Sequence, residues 1–392
     1  MGEKIIPLTF ISDGRLGVYK NGKSEFLTLK KQETYINVIR QINKGNDWKS
    51  TGRGAAFMGV MYKPADEDEG FSLNAAEAVS DELLVYACTC SSTGCIYTKK
   101  IDSCSPEGLV AASTDWRVSS ICACRSQIEA YGGSLLCVAE MEYKRGESHI
   151  VLFYSDKPYV TVTDGDTRDA NPFISPDGSV CYFDYCGNAR DINGIVIDIG
   201  PRVICSYDFK THLVNELLSD DSIDYFSPKS DDKGNLYYIK RPYKEKRNED
   251  NGFVNILKAP FKIIKAVGGA FDLFTCKYAG ESLKSNEEQK AKNKSEKQIF
   301  IENNIINADR EQKENAATGE KFPGIIPNSW VLACREPSGN EKVIKKGVCG
   351  FTLYDYEIVY TNGSNLVMLR NNHESDTEHE ETLLLKGNKI IL

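Results

Sequence analysis

The stretch Ala170-Asn171-Pro172-Phe173-Ile174-Ser175-Pro176-Asp177-Gly178-Ser179-Val180-Cys181-Tyr182-Phe183 reads as one β-hairpin. Pro176-Asp177-Gly178 has the chemistry of a tight turn: Pro presets φ at about −65°, Asp bonds back to the backbone and Gly takes the φ > 0 position. After it, Val180, Tyr182 and Asp184 alternate with Cys181, Phe183 and Tyr185, the period-two order of a strand covered on both faces.

This hairpin resembles the Pro-x-(Phe/Trp)-Ser-Pro-Asp-Gly-x-x-(Ile/Leu)-x-Phe signature of TolB-type, WD-repeat-like β-propeller blades, which also occur in the propellers of prolyl oligopeptidases. The resemblance implies an all-β chain folded as a single β-propeller over residues 1–392, and it suggests a bacterial origin. Each blade then needs four antiparallel strands, a to d, in roughly 40 to 50 residues.

Working outward, the hairpin opens a blade with strands near Asn171–Ser175, Val180–Tyr185, Arg202–Asp208 and Leu213–Leu218. The next has Asp224–Ser227, a turn at Asp231-Asp232-Lys233-Gly234, Asn235–Lys240, Phe271–Tyr278 and an edge at Glu281–Lys284, with Ser227-Pro228 repeating the Ser-Pro before the turn. Upstream, periodicity gives Ala55–Tyr62, Glu82–Cys90, Cys95–Ile101 and Gly108–Ala112, then Val118–Cys124, Ser134–Met141, His149–Tyr154 and Tyr159–Thr163. Downstream come Gly350–Tyr354, Glu357–Tyr360, Leu366–Leu369 and Thr382–Leu385, with a hairpin signal at Asn362-Gly363. A weaker blade uses Gln298–Ile306, Trp330–Cys334 and Glu341–Lys345; counting it gives seven blades, omitting it gives six. At the N-terminus, Pro7–Ile11, Arg15–Tyr19 and Lys23–Leu29, joined at Asp13-Gly14 and Asn21-Gly22, are one strand short. Lys389–Leu392 would supply that strand and close the ring, because an apolar tail is otherwise an exposed edge.

The net charge of −8 disfavours nonspecific nucleic-acid binding, which needs a basic footprint. The N-terminal residues lack an apolar leader, and no stretch approaches the ~18 uninterrupted apolar residues of a membrane span. With thirteen cysteines, an odd number without Cys-x-x-Cys spacing, these features fit a cytoplasmic protein with reduced, buried thiols and no metal.

Catalytic signatures are missing: there is no Gly-x-Ser-x-Gly elbow, no phosphate-binding glycine loop and no His-x-x-x-His pair among His149, His212, His373 and His379. No cofactor is expected. Asp164, Asp166 and Asp169 place three carboxylates in six residues, a possible cation loop whose bland alternative is a structural turn. The acidic run His373–Glu381 reads as a solvated hairpin tip. Two insertions stand out: a partly helical one at 241–270 and an irregular charged one at 285–327. The first joins a basic run, Lys240, Arg241, Tyr243, Lys244, Lys246 and Arg247, to a short helix whose apolar face is Phe261, Ile264 and Val267. These residues are the candidate partner-binding surface. The expectation is a noncatalytic scaffold binding a protein or peptide, with a propeller lyase or hydrolase acting on a sugar or peptide, or a small-ligand or metal sensor, as alternatives.

Overall fold

A computed structural model describes residues 6–49, 70–101, 105–125, 129–130, 133–243, 298–302, 304–371, 379–387 and 390–392. The chain is mostly β, laid out as successive antiparallel meanders.

The first meander is β1 (Leu8–Ser12), β2 (Arg15–Lys20) and β3 (Lys23–Phe26). Its turns are of the type that matches strand twist, since both central residues have positive φ: 50° and 71° at Asp13-Gly14, 53° and 79° at Asn21-Gly22. The chain then forms α1 (Lys30–Asn46), a segment to which no element is assigned from the sequence. The second meander runs β4 (Phe71–Ala78), β5 (Leu83–Cys90), β6 (Thr93–Lys100) and β7 (Gly108–Ser113). Its inner strand is therefore Phe71–Ala78 and not Ala55–Tyr62, which lies outside the described residues.

The third meander is β8 (Trp116–Ala123), β10 (Gly133–Tyr143), β11 (Ser148–Tyr154) and β12 (Val160–Thr161), with the short β9 (Glu129–Ala130) beside β10. The fourth contains the diagnostic hairpin as β13 (Thr167–Ile174) and β14 (Val180–Arg190), followed by β16 (Val203–Asp208) and β17 (Val214–Leu218). The turn forms as read: Gly178 has φ 74°, and the Asp177 carboxylate accepts from the Ser179 amide at 3.1 Å. β14 also extends beyond the meander and pairs with β15 (Val196–Ile199) in a projecting hairpin.

The fifth meander departs most from expectation. Its first strands are β18 (Ile223–Ser230) and β19 (Leu236–Pro242). Its third and fourth are β22 (Val331–Arg335) and β23 (Glu341–Lys346), the strands that the sequence had placed in a separate weak blade. Phe271–Tyr278 and Glu281–Lys284 lie outside the described residues. The segment read as one strand at Gln298–Ile306 is a hairpin of β20 (Gln298–Ile301) and β21 (Asn304–Asn307), followed by α2 (Ala308–Ala317). Asn307 caps α2 by accepting from the Arg310 amide at 3.1 Å. The sixth meander is β24 (Gly350–Tyr354), β25 (Glu357–Thr361), β26 (Asn365–Asn371) and β27 (His379–Lys386), close to its expected boundaries.

The inner strands of the fourth and fifth meanders each carry a β-bulge that the sequence concealed. In β13 it lies between Ala170 and Phe173, with Asn171 at φ 52°; in β18 it lies between Phe226 and Lys229, with Ser227 at φ 54°. Ser227-Pro228 therefore corresponds to Asn171-Pro172, not to Ser175-Pro176. A bulge re-aims the strand and exposes backbone groups for new partners.

Apolar clusters fill the seams between successive meanders. Leu16, Leu84 and Tyr86 join the first two; Val85, Trp116 and Phe153 the next two; Leu152, Cys181 and Phe183 the third and fourth. Trp330, Phe351 and Tyr360 join the fifth and sixth, while Leu8, Phe10, Val359 and Met368 join the sixth to the first. Ile390, 4% exposed, lies in this last seam, and Ile391 exchanges both backbone hydrogen bonds with Ile11 at 2.9 Å.

Ile390→Ala should lower the unfolding free energy by about 3 kcal/mol, the cost typical of truncating a buried aliphatic side chain. Deletion of residues 389–392 should lower the melting temperature further, since it also removes the Ile11 pairing. Unchanged urea and thermal midpoints for both variants would show that the tail contributes nothing to this seam.

Candidate functional site

In a four-stranded meander the second-to-third connections and the exits toward the next meander emerge at one end. That end carries the 144–147 turn, the β12–β13 connection, the β14–β15 hairpin, the end of β19 and the start of β22.

Arg190 ties three of these together. Its Nε donates to both Asp166 carboxylate oxygens at 2.8 Å, Nη1 donates to the carbonyls of Arg145 at 2.9 Å and Gly194 at 2.8 Å, and Nη2 donates to Glu147 at 2.9 Å. Bidentate, charge-assisted geometry makes this stronger than an ordinary surface pair. The Arg190 guanidinium holds the Asp166 carboxyl below its usual range. Arg168 adds bonds to the Gly146 carbonyl at 3.1 Å and Asn188 Oδ1 at 3.0 Å. The hairpin tip is preorganised by Asp191, which accepts from the amides of Asn193 at 2.9 Å and Ile195 at 2.8 Å. Ile192 stands at that tip 87% exposed, an apolar side chain on a rigid polar mount. Beside it an open cleft is lined by Asp115, Tyr143, Lys144, Arg145, Glu147 and His149.

Below this surface, the seam between the fourth and fifth meanders is held by charge. Its buried apolar residues are Ile204, Tyr238 and Ala333. Asp184, fully buried, accepts from Arg202 Nη1 at 3.0 Å, from the Asn171 side chain at 2.8 Å and from the Ser227 amide across the seam at 2.9 Å. Both bulge residues thus meet on one carboxylate. Burial pushes the Asp184 carboxyl up to about 6 against the opposing pull of Arg202. Arg202 also pairs with Glu302 at 3.2 Å and donates its backbone amide to Asp224 at 3.0 Å. Asp224 in turn accepts from Arg241 at 3.0 Å.

The candidate partner-binding residues separate accordingly. Arg241 is 3% exposed, its guanidinium 4.3 Å over the Trp330 ring, so it belongs to the interior and not to a docking surface. Desolvation of an arginine is offset here because Nε donates to Asp224, Nη2 donates to the Glu302 carbonyl and the guanidinium lies over the Trp330 ring, while Nη1 is buried without a hydrogen-bond partner. Lys240 pairs with Glu341, and Tyr243 donates its hydroxyl to the Ile199 carbonyl of the projecting hairpin. Lys244, Lys246, Arg247, Phe261, Ile264 and Val267 lie outside the described residues. The three acids of the supposed cation loop do not converge: Asp166 faces Arg190, Asp169 is buried 3.5 Å from His149 Nδ1, and Asp164 is exposed. Arg190, Arg168, Glu147 and Ile192 were not singled out from sequence. Asn193-Gly194 between Asn188–Arg190 and Val196–Ile199 is a hairpin signal that could have found them.

No family model and no curated protein sequence matches the chain. Among solved structures it is similar to tricorn protease, with a TM-score of 0.42 and 10% identity over 99% of this chain and 34% of that one. It is similar to a putative TolB from Agrobacterium tumefaciens, TM-score 0.37 and 10% identity over 82% of this chain and 83% of that one. It is also similar to prolyl oligopeptidase B from Galerina marginata, TM-score 0.39 and 8% identity over 99% of this chain and 52% of that one. The chain thus spans about a third of tricorn protease and about half of prolyl oligopeptidase B.

Asp184→Asn should destabilise the protein by about 3 kcal/mol, because an amide offers a donor to a site supplied only with donors and leaves Arg202 short of charge. Chemical denaturation checks this; a loss below about 1 kcal/mol would mean that the network contributes little.

Proposed function

We propose that this chain is a noncatalytic binding module, a six-bladed propeller in one domain that engages a protein or peptide through its connection-bearing end. Six blades are supported by the six meanders and their seams among the described residues, with the C-terminal residues closing the first. The observation that carries the binding role is Ile192. A fully projected isoleucine, on a hairpin held rigid by Arg190 and Asp191, has the build of an interface anchor: an apolar side chain with its backbone entropy already lost. Among the described residues no helix is long and apolar enough to cross a membrane, and the described cysteines are free thiols, which supports a reducing compartment.

A second reading, a hydrolase or lyase acting on a sugar or peptide, draws on one observation. His149 lines the cleft with Asp169 buried behind it, a pair able to orient an imidazole for proton transfer. His212 does not join it, bonding instead to Tyr207 in the β16–β17 turn, toward the other end of the sheets.

Affinity capture from the native cell should recover a partner with the wild-type chain and lose it with Ile192→Asp, while the melting curve stays unchanged. Arg190→Ala should weaken capture and increase proteolytic cleavage within residues 188–199, with a global stability loss of no more than about 1 kcal/mol. Equal recovery by Ile192→Asp and the wild type would remove the hairpin from the interface.

A further inference from the structure

Three thiols meet at the end of the second meander. Cys88 and Cys90 project from the same face of β5, their Sγ atoms 3.9 Å apart, and Cys88 lies directly opposite Cys95 on β6. Cys88 is fully buried and Cys95 is 5% exposed, whereas Cys90, at the strand end, is only half-buried. The first turn of α1 covers this point: the Lys31 ammonium lies 5.7 Å from the Tyr97 ring centroid, and Tyr97 stacks on Tyr86 at 5.5 Å. One half-buried thiol is therefore backed by two buried ones, with the exposed Lys31 ammonium over the adjacent Tyr97 ring.

We propose that Cys90 is a peroxide-reactive modification site, and that its oxidation is trapped as a disulfide with Cys88 or Cys95. The electrostatics agree with this placement. A hydrogen bond from Cys88, then Cys95 and the Lys31 charge, bring the Cys90 thiol down to about 7, while that bond and burial raise Cys88. The contact allows either sulfur to donate; with Cys88 donating, Cys90 is the thiolate acceptor, and the thiolate is the nucleophile.

The steps balance. The Cys90 thiolate attacks one oxygen of hydrogen peroxide, the O–O bond breaks, and the departing hydroxide takes up a proton to leave as water, giving a sulfenic acid. The neighbouring thiol sulfur attacks Cys90 Sγ, an S–S bond forms, the S–O bond breaks, and the leaving hydroxide takes the thiol proton as a second water. Two thiols supply two electrons and hydrogen peroxide accepts them. With its proton-accepting charge removed on oxidation, Cys90 no longer holds Cys88 in its protonated form. Cys95, directly opposite Cys88, can take over the bond by exchange: its thiolate attacks Cys88 Sγ, the Cys88–Cys90 bond breaks, and Cys90 leaves as the thiolate.

The test uses the full native chain. Brief iodoacetamide labelling from pH 6 to 9, read by mass spectrometry, should modify Cys90 about tenfold faster at pH 7 than an ordinary thiol, with its rate levelling off above pH 8. Stoichiometric hydrogen peroxide followed by nonreducing peptide mapping should yield a peptide spanning Cys88 to Cys95 that has lost two hydrogens. Cys90→Ser should form that product about tenfold more slowly while its melting curve matches the wild type. Three results would each overturn the proposal: Cys90 labelling no faster than the other thiols, a peroxide-induced link from Cys90 to any cysteine outside this trio, or a Cys90→Ser variant oxidised at the wild-type rate.

Discussion

The buried carboxylate of Asp184 is the constraint around which the middle of the molecule is arranged. Elsewhere the seams are filled mainly by clusters of aliphatic and aromatic side chains, a nondirectional attraction that tolerates small shifts of one sheet against another, with ion pairs such as Glu77–Arg125 and Lys345–Glu381 beside them. Between the fourth and fifth meanders the contact is made by Asp184, Arg202, Asp224, Arg241 and Glu302, where angle and distance matter. A buried ion pair gains little net stability over an apolar contact, but breaking it is costly, so it fixes register more than it adds adhesion. That seam lies at the base of the projecting hairpin, and its directional bonds, with the Tyr243 hydroxyl on the Ile199 carbonyl, fix where the hairpin leaves the sheet.

The two bulges explain how such a seam can exist. Left-handed backbone at Asn171 and Ser227 breaks the ladder in β13 and β18 and turns a side-chain amide and a backbone amide toward the same carboxylate. The strain of a positive φ at residues other than glycine is offset by these bonds. In the upper layer Arg190 does for the turns what Asp184 does for the strands, collecting separate segments on one planar group. The interior acid gathers donors and the surface base gathers acceptors.

The sequence alone was enough to read the strands and turns near the diagnostic hairpin, because period-two alternation and the turn residues Pro176-Asp177-Gly178, Asn21-Gly22 and Asn362-Gly363 are local properties. It also identified the C-terminal tail as a partner for the N-terminal hairpins, since an apolar edge requires one. It misplaced what depended on chain separated by an insertion. β22 and β23 looked like part of another blade because nothing in their residues says that their partner β19 ends nearly ninety residues earlier. α1 went unread although Tyr35, Val38, Ile39 and Ile42 recur at helical spacing, a local signal that was present in the sequence; none of its residues is buried.

Local chemistry in the sequence therefore determined the class of fold and the turns that build it, while the tertiary structure decided the use of the charged residues. Arg241 stands in a basic run that reads as solvent-facing, and only the approach of Trp330, Asp224 and Glu302 from other strands buries it. Asp164, Asp166 and Asp169 read as a unit, yet Arg190 holds Asp166, His149 faces Asp169 and Asp164 stays exposed. Cys88 and Cys90 are close in any strand, but Cys95 and Lys31 join them only through β6 and α1. Backbone preference is set by adjacent residues, whereas the energy of a charge or a thiolate is set by whatever the fold brings within a few ångströms of it.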